Sequence, residues 1–236
     1  MIIDFNVYAG NCPGGFGDHG YADLKKGMDD AGIDLAVVSY IGSTFEYACA
    51  DPGDDRFALF VGLMPDVEVE KIPKSARGIC LYPGYDTWDF EGEKWAEIMG
   101  RARYEKWIVH LSAQFLDSRV LDQKNPIEEQ LPLFNSVAEK WSDVRFVISG
   151  ARVFDVEANK ELFAKSNVWT DISHVQHPLN SLPRLLKAVD ASKVLFASNA
   201  PFFYPYTNVF RVNNSPISDE AKRKIFEGNA RGLLGI

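Results

Sequence analysis

The chain reads as an α/β protein, a single (β/α)8 TIM barrel over residues 1–236, and three observations predict this. Eight short runs rich in β-branched and aromatic residues alternate with helical patterns, which is the signature of β/α units. Several of the runs are almost continuously apolar, as parallel strands covered on both faces must be. A length of 236 residues with 46% hydrophobic content suits one core of barrel size. Alternation alone does not establish closure, so an open, doubly wound sheet is the competing arrangement.

In chain order the strands are expected near residues 2–8, 34–41, 57–63, 77–82, 106–111, 144–149, 167–172 and 194–198. The first helix is expected over residues 21–31, stopped by Gly32. A helix over 91–103 follows the fourth strand. Residues 126–141 start on Pro126, which suits a first helical turn, and place Ile127, Leu131, Phe134, Val137, Ala138 and Trp141 near helical spacing. Residues 156–165, 180–190 and 218–227 supply three more. The helices after strands two and three, near 44–50 and 67–75, read as short. The glycine-rich stretch Cys12-Pro13-Gly14-Gly15-Phe16-Gly17 lacks both the Walker lysine and the dinucleotide spacing, and reads as a mobile loop over the barrel mouth.

Bulk chemistry narrows the partners. The net charge is −8, from 33 acidic and 25 basic residues, so the surface repels phosphate backbones and anionic lipid; no nucleic-acid or membrane partner is expected. No apolar run approaches the ~20 residues that span a bilayer. The N-terminus enters a strand with no signal segment, and Cys12, Cys49 and Cys80 are odd in number and far apart. Both features lead to the expectation of a reducing, cytoplasmic setting.

Five segments carry a resemblance that spans the chain. They are Ile2-Ile3-Asp4-Phe5-Asn6-Val7-Tyr8-Ala9-Gly10, Lys106-Trp107-Ile108-Val109-His110, Ser142-Asp143-Val144-Arg145-Phe146-Val147-Ile148-Ser149-Gly150, Val194-Leu195-Phe196-Ala197-Ser198-Asn199-Ala200-Pro201-Phe202 and Gly228-Asn229-Ala230-Arg231-Gly232-Leu233-Leu234-Gly235. Their order and spacing resemble the amidohydrolase superfamily, closest to its branch of decarboxylases and lactone or amide hydrolases. The resemblance implies a TIM barrel, metal-dependent hydrolase chemistry and a homodimer. It also implies that Asn6 and Tyr8 stand where two histidine ligands are usual. His110 keeps the fifth-strand histidine, Gly150 replaces the sixth-strand histidine, and Asn199 replaces the aspartate that serves as ligand and base.

The chemistry of these replacements is poor for an ion. A zinc centre needs about three imidazole, thiolate or carboxylate ligands. Asn6 offers a neutral carbonyl oxygen, Tyr8 an oxygen with an ordinary pKa near 10, and Gly150 no side chain. Asn199 cannot accept a proton from water. No metal is therefore expected at the ancestral position. Asn6, Tyr8, Tyr82, His110, Ser112, Asp171, His174 and Asn199 all fall at or beyond strand C-termini, where barrels bind ligands. Period-2 alternation puts Asn6 with Tyr8, and His110 with Ser112, on common sides. These groups either line a neutral, hydrogen-bonding pocket for a small carboxylated ligand or satisfy one another in space vacated by the ion.

Three functions follow, in order of preference. The first is a non-catalytic or small-molecule-binding descendant. The second is a metal-free hydrolase or lactonase using His110 as base. The third is a metal hydrolase with shifted ligands drawn from Asp4, Asp171, His110 and His174, to which the His174–His177 spacing adds a weak local signal. Cys12 has no neighbour that would make its thiol reactive. The aromatic run Phe202, Phe203, Tyr204, Tyr206 and Phe210 reads as packing under a loop, as a ligand wall or as an oligomer face.

Overall fold

The computed structural model describes residues 1–236 apart from 13, 42–51, 117–118 and 177–179. Among the described residues nine strands form one sheet: β1 (Ile3–Cys12), β2 (Gly17–His19), β3 (Leu35–Tyr40), β4 (Phe57–Gly62), β5 (Gly78–Leu81), β6 (Ile108–Ser112), β7 (Arg145–Ser149), β8 (Val168–Asp171) and β9 (Val194–Leu195). Their order is β2-β1-β3-β4-β5-β6-β7-β8-β9, every pair parallel except β1 with β2. The residues after β9 return to β1. Phe5 N–H donates to Phe196 O at 2.9 Å, Asn199 N–H to Asn6 O at 3.0 Å and Tyr8 N–H to Ala200 O at 2.8 Å, and Val7 bridges Ala200. These bonds join first to last and make the curled sheet a TIM barrel of eight parallel strands, with β2 as an added hairpin arm.

Nine α-helices are described: α1 (Tyr21–Ala31), α2 (Glu93–Glu105), α3 (Ile127–Lys140), α4 (Val153–Ala158), α5 (Lys160–Ala164), α6 (Ser181–Ala188), α7 (Pro205–Asn214), α8 (Asp219–Arg223) and α9 (Asn229–Leu234). The first stops as expected, at Gly32 with φ 70°, a left-handed conformation that glycine adopts without strain. Four differences from the sequence reading matter. The expected helix near 67–75 is a single 3-10 turn, Val69–Lys71, and the one near 44–50 lies outside the described residues. The expected single helix over 156–165 is two short ones broken at Asn159. The expected mobile loop after Cys12 is a hairpin instead, in which Gly10 pairs with His19 and Cys12 with Gly17. The aromatic run after strand eight is partly helical, since Pro205 pre-sets the first turn of α7.

Packing divides the barrel along its axis. A large core, including Val38, Val61, Ile79, Val109 and Ile148, lies between sheet and helices. Inside the ring near the strand N-termini, Ile3, Phe5, Val37, Phe60, Ile108, Val147 and Leu195 meet Leu233 and Leu234 of α9, which closes that end. Inside the opposite end, Tyr8, Cys80, Tyr82, Phe115 and Phe202 gather in a second interior cluster. Among the described residues, no helix is long and apolar enough to cross a membrane.

Candidate functional site

One irregularity in β1 sets up the site. The register with β3 slips by a residue between Asp4 and Val7, because Asp4 pairs with Ala36 while Val7 pairs with Val38. This bulge lets Phe5 and Asn6 both point into the ring. Phe5 joins the lower apolar layer, and Asn6 reaches Asn199. Alternation then resumes, so Tyr8 also faces inward while Val7 and Ala9 pack outward against the helices.

Above the lower layer lies a belt of polar side chains that bond to one another. Asn6 Nδ2 donates to Asn199 Oδ1 at 3.3 Å, and Asn199 Nδ2 donates to Phe115 O at 2.7 Å. Tyr8 Oη and Ser112 Oγ share a hydrogen bond of 2.8 Å. His110 contacts Cys80 Sγ through Nδ1, at 3.6 Å, and Ser149 Oγ through Nε2. Ser149 in turn donates to Asp171 Oδ2, while Asp171 Oδ1 accepts from Ser173 Oγ at 2.5 Å and from Ser173 N–H at 2.9 Å. Because Ser149 gives its proton to Asp171, it must accept from His110, so Nε2 carries the ring proton and Nδ1 accepts from the thiol. Both imidazole nitrogens are committed to protein partners.

Burial governs the electrostatics. Tyr8 and Asn199 are 0% exposed and His110 is 1% exposed. Desolvation pulls the His110 pKa down to about 3, so the ring is neutral at physiological pH. It pushes the Tyr8 and Tyr82 phenols well above the tyrosine range and the Cys80 thiol up to about 12. Asp171 is also raised by burial, a rise resisted by its bonds from Ser149 and Ser173. His110, Tyr8, Tyr82 and Cys80 are therefore held in the neutral forms that a dry interior favours.

Aromatic rings cover the belt. Tyr8 contacts Phe115 and Phe202 at centroid distances of 5.4 and 5.5 Å, and Tyr82 contacts Phe115 at 5.1 Å. Tyr85 stacks on Phe115 at 4.2 Å, and Phe16 of the hairpin region meets Phe202 at 5.1 Å. The hairpin thus packs one ring onto the cap. Cys12 beside it is buried, with its thiol pushed up to about 12, the inert state its neighbours led one to expect.

Of the residues singled out in the sequence, Asn6, Tyr8, Tyr82, His110, Ser112, Asp171 and Asn199 converge at this end of the ring. His174 lies one step outside, with Nδ1 3.2 Å from Ser173 Oγ and its ring against Phe203 at 5.3 Å. His177 falls outside the described residues. Asp4 points the other way, where Oδ1 accepts from Ser198 N–H at 2.9 Å. Gly150 has φ 90°, and a Cβ there would lie 2.6 Å from Gln114 N. Among the described residues, no group of three or more His, Cys, Asp or Glu side chains is arranged to hold an ion. Sequence reasoning passed over Ser149, which links His110 to Asp171, and Cys80, which the alternation rule pairs with Tyr82 on the inside of β5. It also passed over Phe115, which the fold brings between Tyr8 and Tyr85.

Comparison with known proteins follows the same lines. A family model described as Amidohydrolase matches residues 42–236, starting after β3. No curated protein matches the chain. Among solved structures, a 5-carboxyvanillate decarboxylase from Sphingomonas paucimobilis aligns over 100% of this chain and 99% of its own, at TM-score 0.74 and 12% identity. A candidate 2-pyrone-4,6-dicarboxylic acid hydrolase from Pseudomonas putida aligns over 100% and 97%, at TM-score 0.72 and 17% identity. A dihydroxybenzoic acid decarboxylase from Polaromonas sp. JS666, solved with bound manganese and 2-nitroresorcinol, aligns over 99% and 96%, at TM-score 0.73 and 12% identity. At these identities the structural likeness speaks for the barrel, and the family match over most of the sequence speaks for descent. The chain belongs to the amidohydrolase family.

Proposed function

We propose that this barrel holds no metal ion at its centre, carries out no hydrolysis or decarboxylation there, and is a non-catalytic member of its family. The observation that carries this reading is the double engagement of His110. The imidazole at the retained ligand position spends one nitrogen on Cys80 and the other on Ser149. A first-row metal takes an imidazole through a free lone pair, and His110 has none to offer without breaking the Cys80 contact.

The remaining donors support the same conclusion. Asn6 and Asn199 are amides bonded to each other, Tyr8 is held as a neutral phenol, and Gly150 cannot accept a side chain without moving backbone. Asn6 Oδ1 has no hydrogen-bond partner among the described residues, and a single neutral oxygen is a weak ligand by itself. The belt therefore does not fit the ion its fold implies. The aromatic cap separates it from solvent, so a substrate would have to displace Tyr8, Phe115 and Phe202 to reach His110.

The test is a turnover screen with zinc or manganese supplied. The substrates are 2,6-dihydroxybenzoate, 5-carboxyvanillate, 2-pyrone-4,6-dicarboxylate and simple lactones and amides. The expected result is no rate above the uncatalysed background. A metal-dependent rate, or one that His110→Ala abolishes, overturns the proposal.

A further inference from the structure

At the end of the barrel remote from His110, a cavity of about 650 Å³ opens where the strands begin. Lys74 and Arg77 approach it from the segment leading into β5, and Lys106 and Arg145 from the starts of β6 and β7. The buried ring of Trp107 and the turn after α9 complete its walls. The volume falls within the range of small-molecule sites.

The charge here runs against the rest of the molecule. The chain carries a net −8, yet four cations line this cavity against one carboxylate, Glu105. Glu105 is already bridged to Arg101 at 2.6 Å. None of the four cations is in an ion pair among the described residues, whereas surface carboxylates elsewhere are widely paired, as with Asp29 to Arg56 and Asp143 to Arg103. Arg145 is fixed in direction, donating to Leu233 O at 2.6 Å and to Lys106 O at 2.5 Å. Those carbonyls satisfy its N–H groups but do not neutralise its charge. Beyond Arg77 the surface hollow continues past Asp54, whose carboxylate is taken by Lys25, and past Asp55, so the excess of positive charge is concentrated on the Lys106–Arg145 side.

We propose that this cavity is a binding site for a compact small-molecule polyanion, one with two or more phosphoryl or carboxylate groups lying along the rim formed by Lys74, Arg77, Lys106 and Arg145. Cations brought side by side along one rim by three neighbouring strands suit a ligand with separated negative groups, because each group then finds a cation at its own position along the rim. The site lies at the opposite end of the barrel from the aromatic cap, and its occupancy requires no opening of that cap.

The experiment is calorimetric titration of the full chain with inorganic pyrophosphate and, separately, with citrate, at constant ionic strength. Three variants accompany the wild type: Lys106→Glu, the double variant Lys74→Glu with Arg77→Glu, and Lys160→Glu at an exposed position of α5, which makes the same charge change as Lys106→Glu away from the cavity. Circular dichroism establishes that each is folded; should the double variant unfold, Lys106→Glu against Lys160→Glu decides alone. The expected result is saturable binding of one probe molecule per chain, weakened by roughly tenfold or more in Lys106→Glu and little altered in Lys160→Glu. Preference for pyrophosphate assigns a phosphoryl ligand, and preference for citrate a polycarboxylate. Absence of saturable binding with both probes, or equal weakening in Lys160→Glu, overturns the proposal.

Discussion

Gly150 shows how closely backbone meets backbone at this end of the barrel. Its φ of 90° is a conformation that L side chains rarely adopt, and an added Cβ would press on Gln114 backbone. The Gly150→Ala variant is expected to lose about 2–4 kcal/mol, from left-handed strain and overpacking together. Denaturant unfolding measures this; a loss below about 1 kcal/mol would mean the backbone still tolerates a side chain there. Asp4 supplies a second test at this scale. Burial raises its pKa from 3.8 to about 7. Its folded form therefore binds a proton more tightly than the unfolded chain, so its contribution to stability is complete below about pH 4 and is lost as pH rises through about 7. The Asp4→Asn variant keeps an acceptor for Ser198 N–H and cannot ionise. Relative to that variant, the wild type is expected to lose stability progressively between about pH 4 and 7, by about 4 kcal/mol at most. Parallel melting curves across this range check the sign; a difference independent of pH would contradict it.

Elements divide into those whose periodicity is strong and those that the fold imposes. The eight barrel strands were legible because apolar runs bounded by glycine, proline and charge leave few alternatives, and α1 because Gly32 ends it. The β2 hairpin was not legible: Gly17-Asp18-His19 has no strand propensity and is ordered by pairing with β1. The bulge at Phe5–Asn6 was equally hidden, since it arises from pairing with β3. Side-chain partners across the ring, such as Ser149 between His110 and Asp171, depend on strand register and cannot be read from one strand at a time. Helix α7 illustrates why aromatic content misleads. Tyr206 and Phe210 are exposed, while buried Asn208 fastens the helix by donating to Ala197 O at 2.7 Å and accepting from Arg211 at 2.8 Å. Asn208→Ala is expected to cost about 1–3 kcal/mol, whereas Tyr206→Ser with Phe210→Ser stays within roughly 0.5 kcal/mol per site. The reverse order in thermal unfolding would make the aromatic face the anchor of this helix.

At the scale of the molecule, the barrel is stacked in three layers along its axis. An apolar floor meets α9, a polar belt runs from Asn6 to Asp171, and an aromatic cap closes over Tyr8. Membership of the amidohydrolase family was legible in short segments along the chain. Whether the mouth is open was not, because closure depends on Phe115, Phe202 and Phe16 arriving from three separate connections. The belt satisfies the interior with hydrogen bonds among its own side chains, and the proposal that these bonds stand in place of ion coordination is the centre of the account. Elemental analysis of the chain purified without chelator, then dialysed against zinc and manganese and analysed again, tests it most directly. Both metals are expected well below one ion per chain in both samples. One tightly held ion per chain, lost on His110→Ala, would contradict the account.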